Sequence, residues 1–297
     1  MKRSKAHTRG FICGMLAAVS YGANPLFAVP MLAAGIGVNS ILFYRYFFAC
    51  VLYGLFLKLV KKRSLRINLR EFAALLFLAL LFSFSSITLF GSFRYIDVGI
   101  SCTLLFAYPS IVALLSWLFF GEKAGVRAVI AIGIATAGVL LLSKGDPQAP
   151  LNARGVLLAL VSALLYALYI VGVRQIKILK RIKSDKLNFY VMLLGVIVYV
   201  CQLRFCADLE LLSGPKLWGC AALLALIPTI VSLETLTIAI KLIGSTKTAL
   251  LGALEPLTAI IIGVLLFGEQ LSWRVGVGFA FIISGVCLII SRTNRKP

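Results

Sequence analysis

Two glutamates lie within long apolar stretches of the 297-residue chain, where ionisable side chains are rare. Glu255 directly precedes Pro256 near the middle of its stretch, whereas Glu234 lies nearer the end of another. A charged aspartate at such depth costs roughly 2.5–3.5 kcal/mol on insertion scales. We therefore expect Glu255 to be protonated or to bond a basic or polar partner across a cavity. Such a group suits proton coupling or recognition of a cation, and the alternative is a hydrogen bond that fixes a helix kink.

Arg45, in the sequence FYRYFFA, is a basic residue inside an apolar stretch. It lies about six residues from the end of that stretch, which is about 9 Å at 1.5 Å per residue. An arginine can extend that far to the interface, and Tyr44 and Tyr46 are suitable interfacial neighbours. The alternatives are a structural contact inside the protein and binding of a substrate carboxylate.

Membrane-spanning helices are the elements that must position these side chains. Apolar residues make up 61% of the chain and charged residues 13%, against about 45–50% and about 25% in globular proteins. A span needs about 20 mostly apolar residues, and ten such segments predict an all-α integral membrane protein with ten transmembrane helices. The predicted spans are 11–33, 40–59, 72–93, 98–119, 126–143, 154–174, 187–203, 217–239, 246–267 and 273–291.

The net charge of +20 would suit a nucleic-acid-binding protein, but its distribution indicates a membrane topology. When the loops are assigned alternately to two sides, 23 basic residues lie on the side of the N-terminus and six on the other. Basic residues accumulate on the cytoplasmic side. We therefore expect both termini in the cytoplasm, contact with membrane lipid and no nucleic-acid partner, in a plasma membrane such as the bacterial inner membrane.

Cysteine and histidine give little indication of a metal, a cofactor or a catalytic site. The seven cysteines lie mostly within predicted spans and form no CxxC pair, and the single histidine, His7, lies in the basic N-terminal segment. Cys201 and Cys206 flank the end of one span, where they either form a disulfide or act as small apolar residues. We expect no metal and no cofactor.

The chain repeats itself half its length apart. YPSIVALLSWLFFGEKAGVR matches EPLTAIIIGVLLFGEQLSWR at a shift of 147, which places Pro109 on Pro256. RGFICGMLAAVSYGA resembles RGVLLALVSALLYAL at a shift of 145, which places Tyr21 on Tyr166. We predict two homologous halves, 1–147 and 148–297, with five spans each. Because five is odd, the second half is inverted, an arrangement shared by many secondary transporters.

Polar residues are concentrated in six of the spans, which are therefore expected to surround a hydrated cavity, since polar groups in hydrocarbon need partners or water. Proline removes a helical hydrogen bond and can free carbonyl groups there, although each proline could equally form a packing kink. Pro109 and Pro256 are the predicted helix breaks. The candidate cavity residues are Tyr21, Asn24, Ser86, Tyr108, Tyr166, Glu234 and Glu255.

The pairs Gly121-Glu122 and Gly268-Glu269 end the repeated stretches and are interpreted as helix ends, since glycine accepts the left-handed conformation. With these pairs, the two five-span halves resemble the EamA-type branch of the drug/metabolite transporter superfamily. AIKLIGSTKTALLGALEPLTAIIIGVLLFGEQLS, at 239–272, is the stretch most similar to that family. The resemblance implies export or exchange of a small metabolite, commonly an amino acid, at a central cavity between the halves.

Several alternatives remain open from the sequence. They are a membrane enzyme acting on a lipid-linked substrate, and a channel or sensor subunit. The substrate, the direction of transport, coupling to protons and assembly as a homodimer are likewise open. No catalytic residues are predicted.

The basic-residue asymmetry predicts that the loop 145–152 lies outside the cell. A Gln148→Cys variant should therefore react with a membrane-impermeant thiol reagent on intact cells, with the unsubstituted chain as background. Reaction only after permeabilisation would contradict the ten-span arrangement.

Overall fold

A computed structural model describes residues 2–62, 64–96, 98–121, 125–142, 152–267 and 273–290, and in these ranges all regular structure is helical. The helices of the first half of the chain are α1 (Lys2–Gly22), α2 (Asn24–Ala33), α3 (Val38–Leu55), α4 (Leu69–Ser92), α5 (Val98–Leu105), α6 (Tyr108–Phe120) and α7 (Val126–Leu142). Those of the second half are α8 (Ala153–Gln175), α9 (Ser184–Gln202), α10 (Gly214–Ala225), α11 (Ser232–Ile243), α12 (Ser245–Leu251), α13 (Leu254–Phe267) and α14 (Trp273–Ile290).

Six helical stretches of the described chain are long and apolar enough to cross a membrane. They are Ala6–Ala33, Val38–Val60, Leu69–Ser92, Ala153–Gln175, Ser184–Gln202 and Gly214–Ile243. Shorter apolar helices, including Tyr108–Phe120, lie in three of the other four predicted spans. The chain is therefore a helical protein that crosses the membrane several times.

Breaks divide several of the predicted spans. Span 11–33 is broken at Ala23, span 98–119 at residues 106–107, and span 246–267 at residues 252–253. Pro25 and Pro109 each occupy the first turn of the helix that follows the break, where the missing N–H costs no helical bond. Span 217–239 contains a π-helical segment, Leu226–Val231, at Pro228.

Local sequence explains two helix ends that border these spans. α4 begins with a capping box, in which the Asn68 side chain accepts from the Glu71 N–H and the Glu71 carboxylate accepts from the Asn68 N–H. α6 ends at Gly121, whose φ of 63° is left-handed and is readily adopted by glycine. Glu122, Gly268 and Glu269 lie outside the described residues.

The helices pack in pairs that the sequence repeat relates. α1 packs along α11, and α4 packs along α8. The Ser232 hydroxyl donates to the Ala17 carbonyl at 3.0 Å. The Ser85 hydroxyl donates to the Ser162 carbonyl at the same distance. Shifts of 147 and 145 convert one bond into the other, so the same contact is made twice.

Close glycine packing shows the same correspondence. A Cβ atom on Gly10 in α1 would meet Ile243 at the end of α11. A Cβ atom on Gly155 in α8 would meet Ile96 after the end of α4. Both glycines follow the arginines that align in the repeat, and Ile96 and Ile243 are 147 positions apart. The small residues therefore allow equivalent close approaches in the two halves.

Gly22 should be sensitive to any added side chain, because α1 crosses α13 there. A Cβ atom at Gly22 would lie 2.5 Å from the Glu255 carbonyl oxygen and 2.7 Å from Thr258 Cβ. Overpacking typically costs about 1–3 kcal/mol, so Gly22→Ala should lower the midpoint of thermal unfolding in detergent. Gly219→Ala is the matched control, since no atom lies within 4 Å of the added Cβ. Equal midpoints for the two variants would contradict the packing.

Candidate functional site

A cavity of about 80 Å³ lies between α1, α2, α4, α5, α6 and α13. A single water molecule needs a cavity volume of roughly 10–15 Å³. This cavity can therefore hold several waters or part of a small metabolite. It runs from Tyr108 and Glu255 to the C-terminal ends of α2 and α4. Its walls are largely apolar, with contributions from Val29, Leu32, Leu89, Phe90, Phe93, Leu105 and Phe106. A mostly apolar cavity with a few convergent polar groups is typical of a small-molecule site.

The inner end of the cavity is formed by a hydrogen bond between the two halves of the chain. The Tyr108 hydroxyl donates to Glu255 Oε1 at 3.2 Å, and Glu255 is 9% exposed. Gly252 permits this approach, because a Cβ atom there would overlap the tyrosine hydroxyl. Tyr108 and Glu255 are 147 positions apart, so the bond joins equivalent positions of the repeat.

A second pair of equivalent residues lies beside the first. The rings of Tyr21 and Tyr166 are nearly parallel, with centroids 6.4 Å apart and an interplanar angle of 14°. The Tyr166 ring also meets Tyr108 edge-on at 4.8 Å. Tyr21 lines the cavity, and Tyr166 is buried behind it. The four side chains therefore form one packed cluster in which each half contributes two.

The break between α1 and α2 adds a polar group to the cavity wall. Asn24 lines the cavity, and its Nδ2 donates to the Tyr21 carbonyl at 3.0 Å. Its buried Oδ1 atom has no hydrogen-bond partner. A buried acceptor without a partner is costly, so this oxygen is available to a donor on a bound molecule or to water.

Two of the candidate residues lie away from the cavity. The Ser86 hydroxyl lies 3.2 Å from the Tyr46 hydroxyl and donates to the Phe82 carbonyl at 3.1 Å. Glu234 accepts from the Tyr53 hydroxyl at 3.0 Å and from Asn188 Nδ2 at 2.9 Å. Ser86 therefore packs within the helix bundle, and Glu234 belongs to a separate network of α3, α9 and α11. Neither side chain lines the cavity described above, so a role for Ser86 or Glu234 in substrate binding stays a prediction.

Of the predicted helix breaks, Pro256 lines the cavity and Pro109 does not. Cys201 and Cys206 are free cysteines in the structure. Within the described ranges no group of three His, Cys, Asp or Glu side chains is placed to hold a metal ion.

Arg45 points into the protein and not to the interface, so extension to the interface is contradicted. Its side chain is 0% exposed, and its Nε donates to Thr229 Oγ1 at 2.7 Å. Nη2 lies 3.5 Å from the Pro228 carbonyl in the π-helical segment. The guanidinium carbon is 5.6 Å from the centroid of the Tyr21 ring. The π-helical segment thus supplies neutral oxygen partners for two of the three guanidinium nitrogens.

Sequence reasoning missed the apolar wall of the cavity. Leu89, Phe90 and Phe93 line it from the end of α4, whereas the sequence prediction of the cavity rests on polar residues. Apolar residues in a membrane protein face lipid, packed helices or a cavity with equal ease, so no sequence signal separates them.

Comparisons with known proteins agree with this architecture. The family model described as "EamA-like transporter family" matches residues 8–144 and 153–291. An "Uncharacterized transporter" of Archaeoglobus fulgidus is 27% identical to this chain, over 65% of this chain and 67% of its own length. "Uncharacterized transporter YvbV" of Bacillus subtilis is 26% identical, over 75% and 72% respectively. A solved crystal structure, 18% identical, has a TM-score of 0.79 over 99% of this chain and 100% of that chain, which is a likeness of fold.

The bond between Tyr108 and Glu255 predicts energetic coupling of the two residues. In a double-mutant cycle of Tyr108→Phe and Glu255→Gln, the free energies of unfolding in detergent should be non-additive by about 0.5–3 kcal/mol. Tyr190→Phe is the control, because its hydroxyl bonds to the Leu65 carbonyl and should combine additively with Glu255→Gln. Additivity of the Tyr108 and Glu255 variants would show that the hydrogen bond contributes nothing.

Proposed function

Given that the chain belongs to the EamA-like transporter family, we propose that it is a secondary transporter that moves a small metabolite, such as an amino acid, across the plasma membrane. Transport proceeds by alternating access to the cavity between the two halves. Export or exchange is the direction implied by the resemblance of the sequence.

The observation that carries the proposal is the meeting of repeat-equivalent residues at the cavity. Two positions related by a two-fold axis can touch each other only close to that axis. Tyr108 contacts Glu255, and Tyr21 stacks on Tyr166. This supports an axis through the inner end of the cavity and two inverted halves, 1–147 and 148–297, with five spans each. In inverted-repeat transporters, substrate sites lie near the bilayer midplane at the repeat interface.

The positions of the breaks also support this arrangement. Discontinuous helices form the substrate sites of many such transporters, and irregular backbone is tolerated in a membrane where it is buried or lines a cavity. The break between α1 and α2 and the start of α13 both border the cavity. Short helices in predicted spans four and nine, α5 with α6 and α12 with α13, occupy corresponding positions in the two halves.

The distribution of contacts favours an outward-facing conformation, if the N-terminus is cytoplasmic. The cavity then runs to the outer ends of α2 and α4. On the cytoplasmic side, the network of Tyr53, Asn188 and Glu234 joins α3, α9 and α11. The proposed transport cycle must open this side and close the outer one.

A membrane enzyme acting on a lipid-linked substrate has less support. Among the described residues, Glu255 is the one carboxyl group that lines the cavity. It is bonded to Tyr108, and general acid–base catalysis would need a further group within reach of a substrate. The lining is better suited to binding and release than to bond cleavage.

The test is counterflow in proteoliposomes against a panel of amino acids, nucleosides and organic cations, with and without a pH gradient. We expect accumulation of at least one labelled compound that depends on unlabelled compound inside. The absence of counterflow for every class, together with chemical conversion of a panel member, would contradict transport.

Glu255 is the residue that we propose for proton coupling. Glu255→Gln keeps the shape of the side chain and removes its titration, so it should lose transport driven by the pH gradient and keep exchange of substrate. Glu71→Gln is the control, because Glu71 lies in the capping box of α4 and does not line the cavity. Its ratio of pH-driven transport to exchange should match that of the parent. Equal ratios in the Glu255 variant and the parent would exclude Glu255 as the coupling group.

A further inference from the structure

Arg45 is a fully buried cation with unused hydrogen-bonding capacity. Its Nε and Nη2 atoms have partners in Thr229 and Pro228, whereas Nη1 is buried without any. Both partners are neutral oxygen atoms. In the part of the chain that the structure describes, no carboxylate forms an ion pair with Arg45.

This arrangement is unfavourable for the empty protein. Arginine stays charged at any physiological pH, and a buried charge is normally paired. The carboxyl group of the cavity, Glu255, bonds to Tyr108. The fold therefore keeps a permanent positive charge in its interior, and its hydrogen bonds satisfy only part of the guanidinium.

The charge lies one side chain away from the cavity. The guanidinium carbon is 5.6 Å from the Tyr21 ring centroid, and Tyr21 lines the cavity. The buried ring keeps water out of the space between the guanidinium and the cavity. The positive charge therefore attracts an anion in the cavity more strongly than it would at the same distance in water.

We propose that Arg45 gives the cavity a preference for substrates that carry an anionic group, for which a carboxylate is the best fit. The planar guanidinium fork matches the geometry of a carboxylate. The inference rests on the proposed transport function and narrows its substrate class. Arg45 acts either across the Tyr21 ring or in direct contact after the ring has moved.

A purely structural role for Arg45 makes a different prediction. In that case the side chain serves to hold the π-helical segment through Thr229, and removing the acceptor should have the same consequence as removing the cation. Thr229→Val would then change substrate preference as much as Arg45→Gln does. On our proposal Thr229→Val leaves the charge beside Tyr21 and keeps the preference.

The experiment measures uptake of matched pairs of labelled compounds into proteoliposomes. The pairs are L-leucine with L-leucinamide and benzoate with benzamide, in which only the carboxylate is exchanged for an amide. The wild-type protein should prefer the carboxylate of at least one pair by about tenfold, which corresponds to about 1.4 kcal/mol. Arg45→Gln should bring that ratio close to one. Arg45→Lys, which keeps the charge and loses the fork, should retain part of it.

Two controls separate this inference from general damage. Lys241→Gln removes a part-buried cation whose Nζ donates to the Ile182 carbonyl. Lys241 lies in α11, which does not line the cavity, so this variant should leave the ratio unchanged. Size-exclusion profiles identify variants that misfold. If Arg45→Gln misfolds, the substrate preference of Arg45→Lys is compared with that of the wild-type protein.

A wild-type protein that takes up both members of a pair equally overturns the inference and leaves transport intact. An Arg45→Gln variant that keeps the preference for the carboxylate also overturns it. So does a Thr229→Val variant that loses this preference as completely as Arg45→Gln does. Uptake of neither member of either pair, with no counterflow for any compound of the wider panel, counts against the transport proposal, and the inference falls with it.

Discussion

The hydrogen bond from Tyr108 to Glu255 is the contact around which the cavity is organised. A carboxyl group in hydrocarbon must find a polar partner, and here the other half of the chain supplies it at the equivalent position. Gly252 leaves room for the hydroxyl, and Tyr166 packs against the Tyr108 ring. Pro256 follows the glutamate directly, just after the break between α12 and α13. The burial of this one carboxyl group therefore explains why a glycine, an aromatic contact and a helix break occur together at the contact between the two halves.

The two halves share packing but differ in their polar chemistry. The bonds from Ser85 and Ser232 are equivalent, as are the glycine contacts at the ends of α4 and α11. Glu234, in contrast, corresponds to Ile87 at a shift of 147. The network of Glu234, Tyr53 and Asn188 therefore lacks a carboxylate counterpart in the first half. In the proposed cycle, opening the side that contains this network requires its polar groups to exchange partners, so the two conformations need not be equally stable.

The sequence alone predicts the helical membrane class, and Tyr21, Asn24, Tyr108 and Glu255 all line one cavity. Those residues lie next to helix breaks or at repeat-equivalent positions, which gives two independent signals. Ser86 had only its polarity as a signal, and a serine in a helix can bond the carbonyl four residues earlier, as it does here to Phe82. The contacts of Arg45 could not be predicted, because hydropathy gives the depth of a residue in the membrane and not the direction in which its side chain points. Its partners, Thr229 and Pro228, are about 180 positions away and come close only in the folded structure.

The central claim is that one cavity, at the contact between the two halves, opens in turn to each side of the membrane. The most direct measurement uses an Ala28→Cys variant in a background without native cysteines, since Ala28 and Cys102 both line the cavity. Membrane-impermeant thiol reagents are applied separately to each face of proteoliposomes of fixed orientation, with and without a transported compound. The account predicts reaction from both faces, at relative rates that change when the compound is added. Reaction from one face alone under every condition would contradict alternating access at this cavity.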